Sequence, residues 1–340
     1  VAGVDIAGSR VIVRKSDAGP QVDLALLVDG PFSGAVKILD NQRFGFLSQA
    51  GLNVTKADGD MNATIAMKWN IPPEDQAVTD IDINVAANVI DASMDGLPQN
   101  MVLADADIDV MMANDIMTLS GRGNFDGAPG LINLVYDQAR NIDLQVRMLK
   151  SEQLTGIIKK ASGLNLLGAT GGTIIARRGP SQGMTNMSAQ IDFTDAAINL
   201  DRFGLTKLPG EAAIFTGDFV FTDGHLRKVS NLDLNSEFLS ITGDASFDES
   251  GQFLGAFFDE VAWPGNDISQ ITIERNEDDV LSISADAKIV DLTPLRREES
   301  PGEGVSLMID LTANRIVLDE RLSLSGNVAL TTSEDGTGEA

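Results

Sequence analysis

The 340 residues contain no cysteine and one histidine, His225. The first absence excludes thiol catalysis, disulfides and every cysteine-based zinc site, and it suits an oxidising compartment. The second excludes clusters of histidine around a metal and leaves one candidate imidazole. Aromatic residues are only 5%, with one Tyr and two Trp, too few for the stacking platforms of a carbohydrate-binding β domain. Cations are also scarce: 25 Lys and Arg stand against 50 Asp and Glu, a net charge of −25. Such a surface repels phosphate backbones and anionic headgroups, which disfavours nucleic-acid binding and polybasic membrane attachment. No apolar run approaches the roughly 18 residues that cross a bilayer. The opening Val1-Ala2-Gly3 is neither an initiator Met nor a signal peptide and reads as the start of an excised or processed piece.

What is present is alternation. Asp80-Ile81-Asp82-Ile83-Asn84-Val85 sends aliphatics to one side of a strand and polar groups to the other. The pattern returns in residues 106–110, 190–194, 231–235, 270–274, 281–285 and 305–311. Strands with one wet and one dry face imply an antiparallel sheet, since parallel strands covered on both faces read as continuous apolar runs. Asp-Gly occurs at Asp29, Asp58, Asp95, Asp126, Asp223 and Asp335, and predicts hairpin turns there. The fold class expected is mainly β: a long twisted antiparallel sheet curved into an open groove, with two short helices.

Those helices are expected over residues 40–51, with Asp40 as N-cap and Gly51 at the stop, and over residues 151–163, capped by Ser151. In the second, Leu154, Ile157 and Ile158 form a stripe, and Lys159-Lys160 suit the negative end of the helix dipole. Gly51 and Gly163 close the two segments, and Gly59 and Gly171 each follow eight residues later. The offset of 112 in both comparisons suggests two repeats, about 25–150 and 151–330, within a single elongated β domain over residues 1–330. Residues 331–340 have nothing larger than Ala among their apolar side chains and read as a flexible tail.

Catalytic motifs are weak. Asp105, Asp107 and Asp109 resemble the start of a calcium loop, but the sixth position is Val110 and the twelfth Ile116, where an EF-hand needs Gly and Glu. They read as the wet edge of a strand. Gly121-Arg122-Gly123 and Gly168-Ala169-Thr170-Gly171-Gly172 lack the strand–turn–helix context of a phosphate loop and read as turns. His225 has no nucleophile beside it and reads as a surface turn residue. No enzyme, metal site or cofactor is expected.

The apolar faces carry most of the information. One common surface is expected to hold Ile81, Ile83, Val85, Ile108, Val110, Ile191, Phe193, Leu232, Leu234, Ile271, Ile273, Leu281, Ile283, Leu307, Ile309 and Leu311. The interleaved Asp82, Asp107, Asp192 and Asp233 are expected to face water. Periodicity leaves two arrangements open. A structural or adhesive β-sandwich or solenoid would fill these faces with its own side chains, and a curved sheet would leave them to an apolar ligand.

Several phrases carry a family resemblance. They are Asp29-Gly30-Pro31-Phe32-Ser33-Gly34, Ala50-Gly51-Leu52-Asn53, Ala57-Asp58-Gly59-Asp60 and residues 89–97. Ile191-Asp192-Phe193-Thr194-Asp195-Ala196-Ala197-Ile198 follows, then residues 204–211, 271–275 and 289–295. In their order and spacing, over roughly residues 25–330, they resemble the AsmA-like superfamily of Gram-negative envelope proteins, related to TamB. The likeness is greatest to the central region of YhdP-type members. The resemblance implies a segment of a periplasmic, inner-membrane-anchored protein. It also implies a hydrophobic groove that conducts phospholipids toward the outer membrane, with acyl chains as its partners and with inner- and outer-membrane components contacted through regions beyond this chain. The membrane anchor and the C-terminal region of such proteins have no counterpart here.

Overall fold

A computed structural model describes residues 5–16, 19–39, 54–71, 81–96, 101–137, 141–179, 183–200, 204–276, 280–291, 293, 307–318, 321–332 and 338–339. The chain divides into two compact units: Val1–Leu149 with Arg177–Pro180, and Lys150–Ala176 with Ser181–Ala340.

The first unit is an antiparallel meander. Its strands are β1 (Arg10–Ser16), β2 (Gly19–Pro31), β3 (Ala57–Asn70), β4 (Asp82–Met94), β5 (Leu103–Ala113), β6 (Ile116–Phe125), β7 (Ala128–Asp137) and β8 (Ile142–Ser151), each paired with the next. Among the described residues β1 pairs with β2, and the sheet is not closed into a barrel. A helix, α1 (Phe32–Leu39), follows β2 directly and packs on β3, burying Val36. It lies earlier than the helix expected over residues 40–51, a segment outside the described residues.

The second unit opens with α2 (Glu152–Ser162). Ser151 Oγ accepts the Leu154 N–H at 3.1 Å, and Gly163, at φ 70°, ends the helix as its C-cap. This is the capping the sequence indicates. The large sheet of this unit runs β10 (Thr170–Arg178), β11 (Met184–Asp192), β14 (Ala213–Thr222), β15 (His225–Ser236), β16 (Ser240–Phe247), β17 (Phe253–Trp263), β18 (Asn266–Arg275), β19 (Leu281–Asp291), β20 (Leu307–Val317) and β21 (Ser323–Thr332). A short β22 (Gly338–Glu339) pairs with β21 inside the stretch expected to be a flexible tail. β9 (Asn165–Gly168), β12 (Ala196–Leu200) and β13 (Leu205–Lys207) form a separate three-stranded sheet.

One pairing departs from the antiparallel rule: β19 and β20 are parallel, Ile283 opposite Ile309. Residues 292–306 separate the two strands in sequence, all but Thr293 outside the described residues. Turn chemistry departs as well. Asp126-Gly127 and Asp223-Gly224 are left-handed hairpin turns, with φ of 49° and 83°, and 52° and 83°. Asp29-Gly30 and Asp58-Gly59, however, lie inside β2 and β3. Gly121 and Gly123 are strand residues of β6, not a turn. A Cβ on Gly121 would stand 2.4 Å from the Asp107 carbonyl oxygen, so the glycine is there for a close strand approach.

Candidate functional site

Residues directly paired across a ladder share a sheet face, so register identifies the surface. In the first unit, Leu26, Ile65, Val85, Met112, Met117, Tyr136 and Ile142 are paired in succession from β2 to β8. Beside them runs Val28, Ala63, Ala87, Val110, Leu119, Leu134 and Leu144, and then Gly30, Met61, Val89, Ile108, Gly121, Ile132 and Val146. Three rows cross seven strands without a charge.

Burial is graded along the strands. Met61, Val89 and Ile108 are buried, whereas every member of the Leu26–Ile142 row is half-buried. At strand spacings the three rows have a footprint of roughly 400 Å², of which Met61, Ala63, Val89 and Ile108 expose almost nothing.

The second unit has uncharged rows as well, but the first of them is core. Ile191, Phe215, Leu234, Ile241 and Val261 pack against one buried cluster. Ala287 and Ala313 belong to another with Val290 and Ile316, against which Ile268 packs. Ile191, Phe215, Leu234, Ile241, Val261, Ile268, Ala287 and Ala313 are paired in succession from β11 to β20. So are Met187, Phe219, Val229, Ala245, Ala256, Ile273, Ile283 and Ile309. Leu232, Gly243, Phe258 and Ile271 lie between the two rows.

A line of bulges keeps these faces continuous. Asp91 and Asp105 in the first unit and Asn231 and Gln270 in the second have φ between 48° and 52°. Each sits at a register shift, where an extra residue bends its strand. Asn231 is held by its N–H to Asp244 Oδ1 at 3.0 Å and by its Nδ2 to Asp218 Oδ2 at 2.8 Å.

Of the residues expected to line one surface, Val85, Ile108 and Val110 fall on the first unit's three rows. Ile83 pairs with Met67 one row beyond them, Ile81 also belongs to the first unit, and the others belong to the second. Ile83, Val85 and Val110 are half-buried and Ile108 is buried. Ile81 precedes β4 and is 44% exposed. Ile191, Leu232, Leu234, Ile271, Ile273, Leu281, Ile283, Ile309 and Leu311 are half-buried, and Leu307 pairs with Leu281 through the backbone. Phe193 belongs instead to a filled core with Leu166, Ala196, Ile198, Ala213, Phe238 and Leu239, against which Ile191 and Leu234 also pack. The small sheet supplies that filling through Leu166 and Ile198. Lining residues such as Leu26, Ile65, Leu119, Leu134 and Leu144 were not among those expected, although Ile142-Asp143-Leu144-Gln145-Val146 alternates perfectly.

Charge keeps to the other face. Asp82 is exposed, and Asp107 accepts from Arg122 at 2.9 Å. Asp192 accepts from Lys150 at 3.0 Å, and Lys150 also reaches Asp195 at 2.7 Å; these two hydrogen bonds raise the lysine's pKa. Hydrogen bonds from Ser188 and Asn231 hold the Asp218 carboxyl below the usual range. Among the described residues one charge is wholly buried. Lys207 Nζ donates to the carbonyls of Thr194, Ala196 and Leu208 at 3.1, 2.8 and 3.0 Å, and burial lowers its pKa.

Among the described residues, no group of acidic or histidine side chains is placed to hold a metal. His225 is exposed at the start of β15. Among those residues, no helix is long and apolar enough to cross a membrane. No family model, curated protein or solved structure matches this chain.

Proposed function

We propose that the chain is a segment of a periplasmic, inner-membrane-anchored protein that conducts phospholipids along its apolar rows toward the outer membrane, without enzymatic activity. The observation that carries this reading is the half-buried, uncharged Leu26–Ile142 row and its neighbour, crossing seven strands. Exposing an acyl chain to water costs about 0.8 kcal/mol per CH₂, and a continuous dry track lowers that barrier. An uncharged row of aliphatic and thioether side chains, with the ring of Tyr136 near one end, supplies such a track. It presents no charge that would hold one lipid in one place. The acidic opposite face keeps a long sheet dissolved and discourages edge pairing. The resemblance to AsmA-like proteins points the same way.

A structural role is favoured for the filled cores of the second unit, one around Phe193 and Ile198 and one around Val290 and Ile316. Mass spectrometry of organic extracts of the purified protein tests the proposal. Phospholipid at near-stoichiometric amounts is expected. An extract free of lipid, from protein made in cells that contain it, contradicts the reading.

A further inference from the structure

With no cysteine in the chain, its sulfur is all thioether, carried by 11 methionines. Two of them, Met112 and Met117, stand directly opposite each other in the β5–β6 hairpin. The turn between those strands, Asn114-Asp115, has φ of 50° and 64°, the left-handed pair that a two-residue hairpin needs, and it fixes their register. Cβ atoms so opposed are about 5 Å apart, within reach of two thioethers. Val85 continues the row on β4 and Tyr136 on β7, so the pair interrupts neither end but lies in the middle of the crossing.

Access for a small oxidant differs among the methionines. Met61 and Met148 are 9% and 8% exposed. Met112 and Met117 are half-buried and flank the exposed residues 113–116 of the turn. Met111 is 62% exposed, but alternation sends it to the other face, where it pairs with Thr118. A peroxide therefore reaches Met112 and Met117 in the folded protein far more readily than Met61 or Met148. The sulfur lone pair attacks one peroxide oxygen, an S–O bond forms and the O–O bond breaks. The departing hydroxide takes the proton left on the transferred oxygen and becomes water; sulfur loses two electrons and the peroxide gains them. Methionine sulfoxide reductase reverses the change with a dithiol, giving the thioether, a disulfide and water.

We propose that Met112 and Met117 form a peroxide-sensitive oxidation site whose sulfoxides place polar oxygens in the middle of the first unit's row and interrupt it as an apolar surface. The site stands on the register and exposure of the pair; that its oxidation stops lipid rests on the track reading.

The test treats the full chain with hydrogen peroxide and maps the sulfoxides by fragment mass spectrometry. Met111 should react first, Met112 and Met117 next, and Met61 and Met148 last. Once the pair is converted, binding of the apolar dye phenylnaphthylamine should fall. Photo-crosslinking of phospholipid from a residue analogue at Ile65 should drop roughly tenfold, the scale of one polar group that must leave water. Methionine sulfoxide reductase with a dithiol should restore both. Met111→Leu should suffer the same losses under peroxide. Met112→Leu with Met117→Leu, compared with its own untreated sample, should suffer none. Dye binding that falls on oxidation, in a protein that never crosslinks lipid, would support the site and refute the track. Lipid adducts that persist after conversion of the pair would overturn this inference and leave the track standing. Protection of Met112 and Met117 equal to that of Met148, or equal peroxide losses in the double leucine variant, would overturn it as well.

Discussion

The first unit's rows and the second unit's small-sheet end are built from the same alternation but meet different neighbours. Ile65 and Val85 are half-buried on their row. Ile198 and Phe193 are 4% and 6% exposed within a closed cluster. Period-2 patterning therefore sets which way a side chain points, and whatever lies over that face sets whether it is core or surface. A charge introduced at the two places separates these roles.

The largest effect is expected at the filled end. Ile198→Asp would bury a carboxylate with no cation to meet it and should cost more than about 4 kcal/mol, abolishing cooperative melting of the second unit. Lys207→Met comes next. It strands three carbonyls that the ammonium now satisfies, partly offset by relief of a buried charge, and a loss of about 2 kcal/mol is expected by urea titration. Gly243→Ala should lose a similar or smaller amount. Its Cβ would fall 2.3 Å from the Phe257 carbonyl oxygen, forcing the bulge region apart.

By contrast, Val85→Asp should lose less than about 1.5 kcal/mol, because a half-exposed carboxylate keeps much of its water. A collapse of the fold equal to that of Ile198→Asp would erase the distinction between the two regions.

The smallest effect concerns acid. The folded-state pKa of Asp218 lies below its unfolded value because Ser188 and Asn231 donate to the carboxylate. Its contribution is present above pH ~4, near the unfolded pKa, and is lost as pH falls through the lower folded value. Ser188→Ala should shift the acid unfolding midpoint slightly upward, and an unchanged midpoint would remove that hydrogen bond from the account.

Much of this was legible in the residues. Ser151 and Gly163 bracket α2, and alternation sends Ile83 and Asp82 to opposite sides. What escaped was long-range. α1 follows Pro31 with no polar cap to announce it, and Asp58-Gly59 looks like a turn although Gly59 serves a bulge. A Cβ there would stand 2.9 Å from the Ile90 carbonyl oxygen on the neighbouring strand, information that no local window contains. The parallel β19–β20 pair and the membership of Phe193 in a core depend in the same way on partners distant in sequence. Within the candidate surface, strands with pure aliphatic alternation were readable. Alanine and methionine diluted the signal in Met61-Asn62-Ala63-Thr64-Ile65.

The most direct measurement is site-specific photo-crosslinking of phospholipid from a residue analogue at Ile65, in the unaltered protein and with Val85→Asp on the paired strand position. A conduit predicts strong lipid adducts in the first and their loss in the second at nearly unchanged melting temperature. Equal crosslinking in both folded proteins, or none in either, would contradict it.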